Sequence, residues 1–135
     1  MIAERGGEKL KPLIIIISLT ILIVAGGAIT LYVLDSESQR LDDSLSSLGE
    51  AIENGNWDNA SKNLKEFHSK WDRTSSLWSM LVDHYEIDNI ELLLSQLASY
   101  VKNKNRNDAL SSVSSLKTLI KHIPDKESLS LKNVF

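Results

Sequence analysis

Cysteine is absent from the sequence, and this excludes disulfides, thiolate metal sites, cysteine nucleophiles and lipoprotein acylation together. Glycine and proline are scarce, at 6 and 2 residues, which argues against a many-stranded fold with frequent turns. The formal net charge is −3 with acidic and basic residues interspersed, so the chain lacks the basic face of a nucleic-acid-binding protein. These absences favour an all-α protein, and we expect no nucleic-acid partner.

A long uncharged run occupies residues 13–34, with the sequence LIIIISLTILIVAGGAITLYVL. A helix of this length spans roughly 33 Å, which is enough to cross a hydrocarbon core of about 30 Å. A core helix of a small soluble domain would carry polar residues on its solvent side, and this run has no charged residue. The run therefore predicts a single transmembrane helix over residues 13–34.

The charges on either side of the run predict its orientation. Arg5, Lys9 and Lys11 precede it, whereas Arg40 is the only basic residue among the twenty that follow. The positive-inside rule then places residues 1–12 in the cytoplasm and the rest of the chain outside it, anchored in the cell membrane. An alternative is a cleaved signal peptide with its cleavage site at residues 26–28. Both interpretations export the C-terminal part.

Apolar residues recur at positions 49 apart, in steps of four, three and four on both sides of a turn. This is helical periodicity with one apolar stripe on each helix. It predicts two antiparallel helix hairpins in a repeat-like four-helix bundle, with helices over residues 36–54, 57–84, 88–103 and 107–122. The pairs are Leu41/Ile90, Leu45/Leu94, Leu48/Leu97, Ile52/Val101, Ala60/Ala109, Leu64/Val113, Phe67/Leu116 and Trp71/Ile120.

The turns between the helices have suitable capping residues. Gly55 or a neighbouring Asn can take the left-handed conformation at a helix C-terminus, and either Asn56 or Asp58 can cap the next helix. Residues 103–107 repeat this pattern. At the start of the bundle two outcomes stay open: the first helix continues the membrane helix, or Ser36 and Gln39 cap it separately. Residues 35–123 form the predicted extracytoplasmic domain.

Apolar residues stand seven apart along the predicted second helix, forming a heptad seam in which every position except Leu64 is aromatic. Its aromatic members are Trp57, Trp71, Trp78 and Tyr85, and they are either core residues or a partner-binding groove. Pro124 should end the fourth helix. The tail that follows, residues 124–135, is expected to pack on the domain and cover the Trp78 end of the seam. Its apolar side chains are Leu129, Leu131, Val134 and Phe135.

Ionisable residues are densest around the start of the predicted third helix. His84, Glu86 and Asp88 are the candidates for a metal or ligand site, but their spacing matches no established ligand motif such as H-E-x-x-H. Capping explains them without a metal, with Asp88 as the cap and Glu91 as its partner. We find no catalytic motif, so we expect no catalytic residues, no cofactor and no enzyme activity.

The stretch WDRTSSLWSMLVDHYEIDNIE, the following helix pair and the terminal LSLKNVF resemble a family of short single-pass membrane proteins catalogued as a domain of unknown function. The most specific matches are Trp71, Trp78, the segment from His84 to Asp88, and the Asn-Val-Phe ending. The resemblance implies a membrane protein of spore-forming Gram-positive bacteria. It also implies a partner, a multi-spanning membrane protein encoded beside it. It carries no catalytic residues.

Two functions follow as hypotheses. The first is a membrane-anchored helical module outside the cytoplasm that binds a partner protein or scaffolds a membrane complex. The alternative is a ligand or metal sensor centred on His84 and Glu86.

Overall fold

The computed structural model describes residues 2–134, and this part of the chain consists of α-helices joined by short turns. No strand occurs within residues 2–134, so the all-α prediction is confirmed. The helices are α1 (Ile2–Glu53), α2 (Trp57–Trp78), α3 (His84–Lys102) and α4 (Arg106–Val134).

Helix α1 joins the apolar run to the bundle without a break. It contains 52 residues, which at 1.5 Å per residue gives a length of roughly 78 Å. Ser36 and Gln39 lie inside it, and the Gln39 side chain donates to Asp35 Oδ2 at 3.0 Å instead of capping a new helix. The question left open by the sequence is settled: the first bundle helix continues the apolar helix.

Residues 34–53 of α1 form a four-helix bundle with α2, α3 and α4. Helix α1 packs against α2 and α4, α3 packs against α4, and the contact between α2 and α3 is less extensive than these three. The short turns make α1–α2 and α3–α4 antiparallel hairpins, as predicted. Both members of all eight predicted apolar pairs are buried, so the 49-residue repeat describes the core.

The two hairpin turns are equivalent in backbone geometry. Gly55 has a φ of 67° and Lys104, its equivalent, has a φ of 54°. The N–H of Asn56 donates to the Ala51 carbonyl at 3.0 Å, and that of Asn105 donates to the Tyr100 carbonyl at 2.9 Å. These are the long hydrogen bonds of a Schellman C-cap.

The same asparagines also cap the helices that follow. Asn56 Oδ1 accepts the N–H of Asn59 at 3.2 Å, and Asn105 Oδ1 accepts that of Asp108 at 3.3 Å. The repeat therefore extends from the apolar stripe to the hydrogen bonds of the turns.

The boundary between α2 and α3 differs from the prediction. Helix α2 ends at Trp78 and not at residue 84, and α3 begins at His84 and not at residue 88. The predicted cap, Asp88, was wrong: Asp83 is the N-cap, and its Oδ1 accepts the N–H of Tyr85 at 3.0 Å. An earlier carboxylate satisfied the same capping requirement, so the helix starts one turn sooner.

Pro124 does not end α4, contrary to the prediction; the helix continues to Val134. A proline inside a helix leaves the carbonyl four residues earlier without its donor. Here that carbonyl belongs to Ile120, and the buried Ser38 hydroxyl of α1 donates to it at 3.0 Å. Ser38 supplies the hydrogen bond that Pro124 cannot, which explains why the helix tolerates this proline.

Candidate functional site

The aromatic seam divides between the core and the surface. Trp71 and Trp78 are buried and pack edge to face, with ring centroids 6.0 Å apart. Trp57 is half-buried at the start of α2, whereas Tyr85 is exposed on the first turn of α3. Because α2 ends at Trp78, Tyr85 does not continue the seam.

The indole N–H groups of both buried tryptophans lack a hydrogen-bond acceptor within residues 2–134. Leaving a buried donor unpaired costs about 1–3 kcal/mol. The area that a tryptophan buries offsets such a cost. We therefore assign Trp71 and Trp78 to the core of the bundle.

The ionisable cluster at the start of α3 is not arranged as a metal site. His84 and Asp88 are exposed, and Glu86 Oε1 accepts a hydrogen bond from Lys126 Nζ at 2.8 Å. Among the residues that the structure describes, no three His, Asp or Glu side chains are grouped as metal ligands. The geometry gives Glu86 a structural partner and leaves His84 in solvent.

This ion pair joins the start of α3 to the part of α4 beyond Pro124. The Glu86 hydrogen bond, together with its charge, raises the pKa of Lys126 above the ordinary value of 10.5. Lys126 therefore carries its positive charge at neutral pH, and the pair holds the end of α4 against α3.

A charged groove lies between α1 and α2, and no sequence motif predicted it. Its volume is about 510 Å³. Glu37 is held from two sides: Thr74 Oγ1 donates to its Oε2 at 3.1 Å, and Arg40 donates to its Oε1 at 3.1 Å. The polar residues lining the groove are Glu37, Arg40, Asp43, Lys70, Arg73 and Thr74.

The sequence signal for this groove is present on each helix alone. Glu37, Arg40 and Asp43 stand three apart on α1, and Lys70 and Arg73 stand three apart on α2. Each set lies beside the apolar stripe of its helix. Only the packing of the hairpin brings the two sets together, so single-helix periodicity could not identify the groove.

The predicted tail is the last part of α4. A Cβ atom placed on Gly27 would lie 3.8 Å from the Leu131 methyl groups, so this part of α4 runs beside the apolar run of α1. Leu131 is half-buried there, while Leu129 and Val134 are exposed. Phe135 lies outside the described residues.

Within the described residues, α1 is the one helix long and apolar enough to cross a membrane. None of its most apolar segment is buried against the rest of the chain. This excludes the core helix of a soluble domain and agrees with a single-pass anchor or a signal sequence, which have the same length and composition.

Comparison with known proteins gives one match. No curated protein and no solved structure matches the chain. A family model described as "Domain of unknown function (DUF4363)" matches residues 28–134, which cover the whole bundle and the last turns of the apolar run. The fold described above is therefore that of a DUF4363 domain, and the chain belongs to this family.

Proposed function

We propose that this chain is a non-enzymatic, single-pass membrane protein whose bundle lies outside the cytoplasm and binds a partner protein in a membrane complex. The unbroken helix α1 is the observation that carries this proposal. A bundle joined to its anchor by a continuous helix keeps a fixed height and direction at the membrane. A rigid connection of this kind holds the binding surface of the bundle in a constant position for neighbouring membrane proteins.

The flanking charges support the orientation. Arg5, Lys9 and Lys11 lie on the N-terminal side of the apolar run, and Asp35, the first charge after it, is acidic. The positive-inside rule then puts the N-terminus in the cytoplasm and the bundle on the other side.

The packing at Gly27 supports an anchor that is retained. A signal peptidase needs an accessible segment of small residues. In this chain, Gly26 and Gly27 lie inside α1, and Leu131 of α4 packs beside Gly27. Cleavage at this point would remove the partner of α4.

The groove between α1 and α2 is the surface we propose for the partner. Glu37 and Asp43 stand three and nine residues beyond the apolar run, which is roughly 5–14 Å above its end. An extracytoplasmic loop of a neighbouring membrane protein reaches this height. The alternation of acidic and basic side chains selects a partner with complementary charges.

Site-specific photocrosslinking in native membranes tests the proposal. The full-length protein carries an N-terminal epitope tag and a photoreactive residue at Arg73, in the groove. The matched control position is Gln96, exposed on α3, the helix diagonally across the bundle from α1. We expect one recurrent protein partner from position 73 and none from position 96. Identical adducts from both positions, or none from either, would contradict the proposal.

A further inference from the structure

Large apolar side chains that face solvent are concentrated at one end of the bundle. Among described residues after Leu34, five such side chains are exposed: Met80 at 74%, Tyr85 at 69%, Leu92 at 59%, Leu129 at 61% and Val134 at 74%. All except Leu92 lie at the end of the bundle from which the apolar run of α1 extends. We call Met80, Tyr85, Leu129 and Val134 the basal surface.

Contacts between α1 and α4 fix the height of two of these residues. Ser38 bonds to the Ile120 carbonyl, and Gly27 packs beside Leu131. Eleven residues separate the two contacts on α1, and eleven separate them on α4. Because both helices rise equally per residue, the two contacts give the same pairing of α1 and α4 residues by height. By that register Leu129 lies level with Ile29, and Val134 lies level with Val24.

Contacts between α1 and α2 fix the height of the α2–α3 turn. Thr74 bonds to Glu37, so continuing the antiparallel register places Met80 about level with Leu31. Tyr85 follows this turn on the first turn of α3. The whole basal surface is therefore level with residues 24–32 of the apolar run.

The upper end of this stretch lies where the outer boundary of a bilayer must fall, and Val24 lies roughly 12 Å below it, inside the hydrocarbon core. A hydrocarbon core needs about 20 helical residues, and twenty residues counted from Leu13 end at Tyr32. Tyr32 is itself 75% exposed. Tyrosine is enriched at membrane–water boundaries, where its ring and hydroxyl meet apolar and polar surroundings together. Tyr85 and Tyr32 both fit that position.

We propose that the basal surface is a second membrane contact beside the anchor, with Met80 and Tyr85 at the headgroup boundary and Leu129 and Val134 in the acyl region of the same lipid leaflet. We assign lipid as the molecule that contacts this surface, because the surface lies beside the apolar run of α1 and at the same height. Lys132 on the same segment of α4 keeps its charged end near the headgroups through its flexible side chain. The contact fixes the tilt of the bundle, and it rests on the anchor assigned under the proposed function.

Fluorescence quenching in vesicles tests this contact. The absence of cysteine makes each introduced cysteine unique, so Met80→Cys and Leu129→Cys each accept one environment-sensitive label. Leu92→Cys is the matched control, also apolar and exposed but away from the base. Full-length protein is reconstituted in phosphatidylcholine and phosphatidylglycerol vesicles containing lipids with nitroxides in the headgroup or upper acyl chain. We expect several-fold stronger quenching at positions 80 and 129 than at position 92.

A label at Ile23→Cys, near the middle of the anchor, separates the two proposals when it is read with additional lipids that carry the nitroxide near the end of the acyl chain. Strong quenching at position 23 with equally weak quenching at 80, 92 and 129 would overturn the basal contact and leave the anchor intact. Weak quenching at position 23 would overturn the anchor itself, and the basal contact with it.

Discussion

Ser38 provides the hydrogen-bond donor that Pro124 lacks, so removing its hydroxyl leaves the carbonyl of Ile120 unpaired in a buried site. We expect Ser38→Ala to lower the free energy of unfolding by about 1–3 kcal/mol. Denaturant unfolding of the full-length protein in detergent, followed by tryptophan fluorescence, measures this loss. Ser47→Ala is the control because its hydroxyl is exposed and bonds only within its own helix.

The Pro124→Ala background gives the same contact a second test. Alanine restores a backbone N–H that bonds to the Ile120 carbonyl, so the Ser38 hydroxyl becomes less necessary. A double-mutant cycle should give a coupling energy of about 1 kcal/mol or more between the two positions. An equal cost of Ser38→Ala in both backgrounds would show that the hydroxyl does not replace the missing donor.

Lys104 adopts a left-handed backbone conformation that its equivalent, Gly55, adopts without strain. We expect Lys104→Gly to stabilise the protein by about 0.5–1 kcal/mol, after allowing for the greater freedom of glycine in the unfolded chain. The reciprocal Gly55→Ala should cost about 1 kcal/mol, since a Cβ at Gly55 meets nothing within 4 Å and only the backbone is strained. Thermal unfolding compares them, and a destabilised Lys104→Gly would contradict this account.

At the scale of the elements, the salt bridge between Glu86 and Lys126 links the C-terminal part of α4 to the start of α3. The folded-state pKa of Lys126 is raised, so its stabilising contribution is complete below the unfolded pKa and is lost as pH rises through the folded value. We expect Glu86→Gln to lower Tm slightly at neutral pH, because the pair is partly exposed. The difference from wild type should then shrink above pH 10.5.

Glu91→Gln is the control for the pH series, since Glu91 is exposed on the same helix. Its Tm should stay close to that of wild type at neutral pH. A Glu86→Gln difference that stays constant while Lys126 deprotonates would mean that the ion pair does not fasten the two helices.

For the whole molecule, the sequence predicted what depends on periodicity. Leu41, Leu45, Leu48 and Ile52 repeat as Ile90, Leu94, Leu97 and Val101, and all of them are buried. Such a stripe can be recognised in the sequence because the buried residues all lie on one face of a helix, and this produces a regular spacing of apolar residues. The hairpin turns were predictable for a different local reason, because Gly and Asn have specific roles at helix ends.

Features that depend on distant residues were not predictable in this way. The donor for the carbonyl freed by Pro124 stands 82 residues away, on Ser38. Likewise, Thr74 and Glu37 meet across the groove from two helices, and no local sequence pattern specifies the relative rotation of those helices. The α2–α3 boundary was predicted wrongly for a more local reason: Asp83 and Asp88 are both good N-cap residues, and the helix starts at the earlier one.

The unbroken helix α1 also fixes which side of the membrane anchor faces in the same direction as the groove. Eighteen residues make five full helical turns, so Glu37 stands directly above Leu19 and Arg40 directly above Leu22. The side of the anchor that carries these two leucines therefore points the same way as the groove. A membrane partner seated in the groove would approach from that side, and its own spanning helix would meet Leu19 and Leu22 within the bilayer.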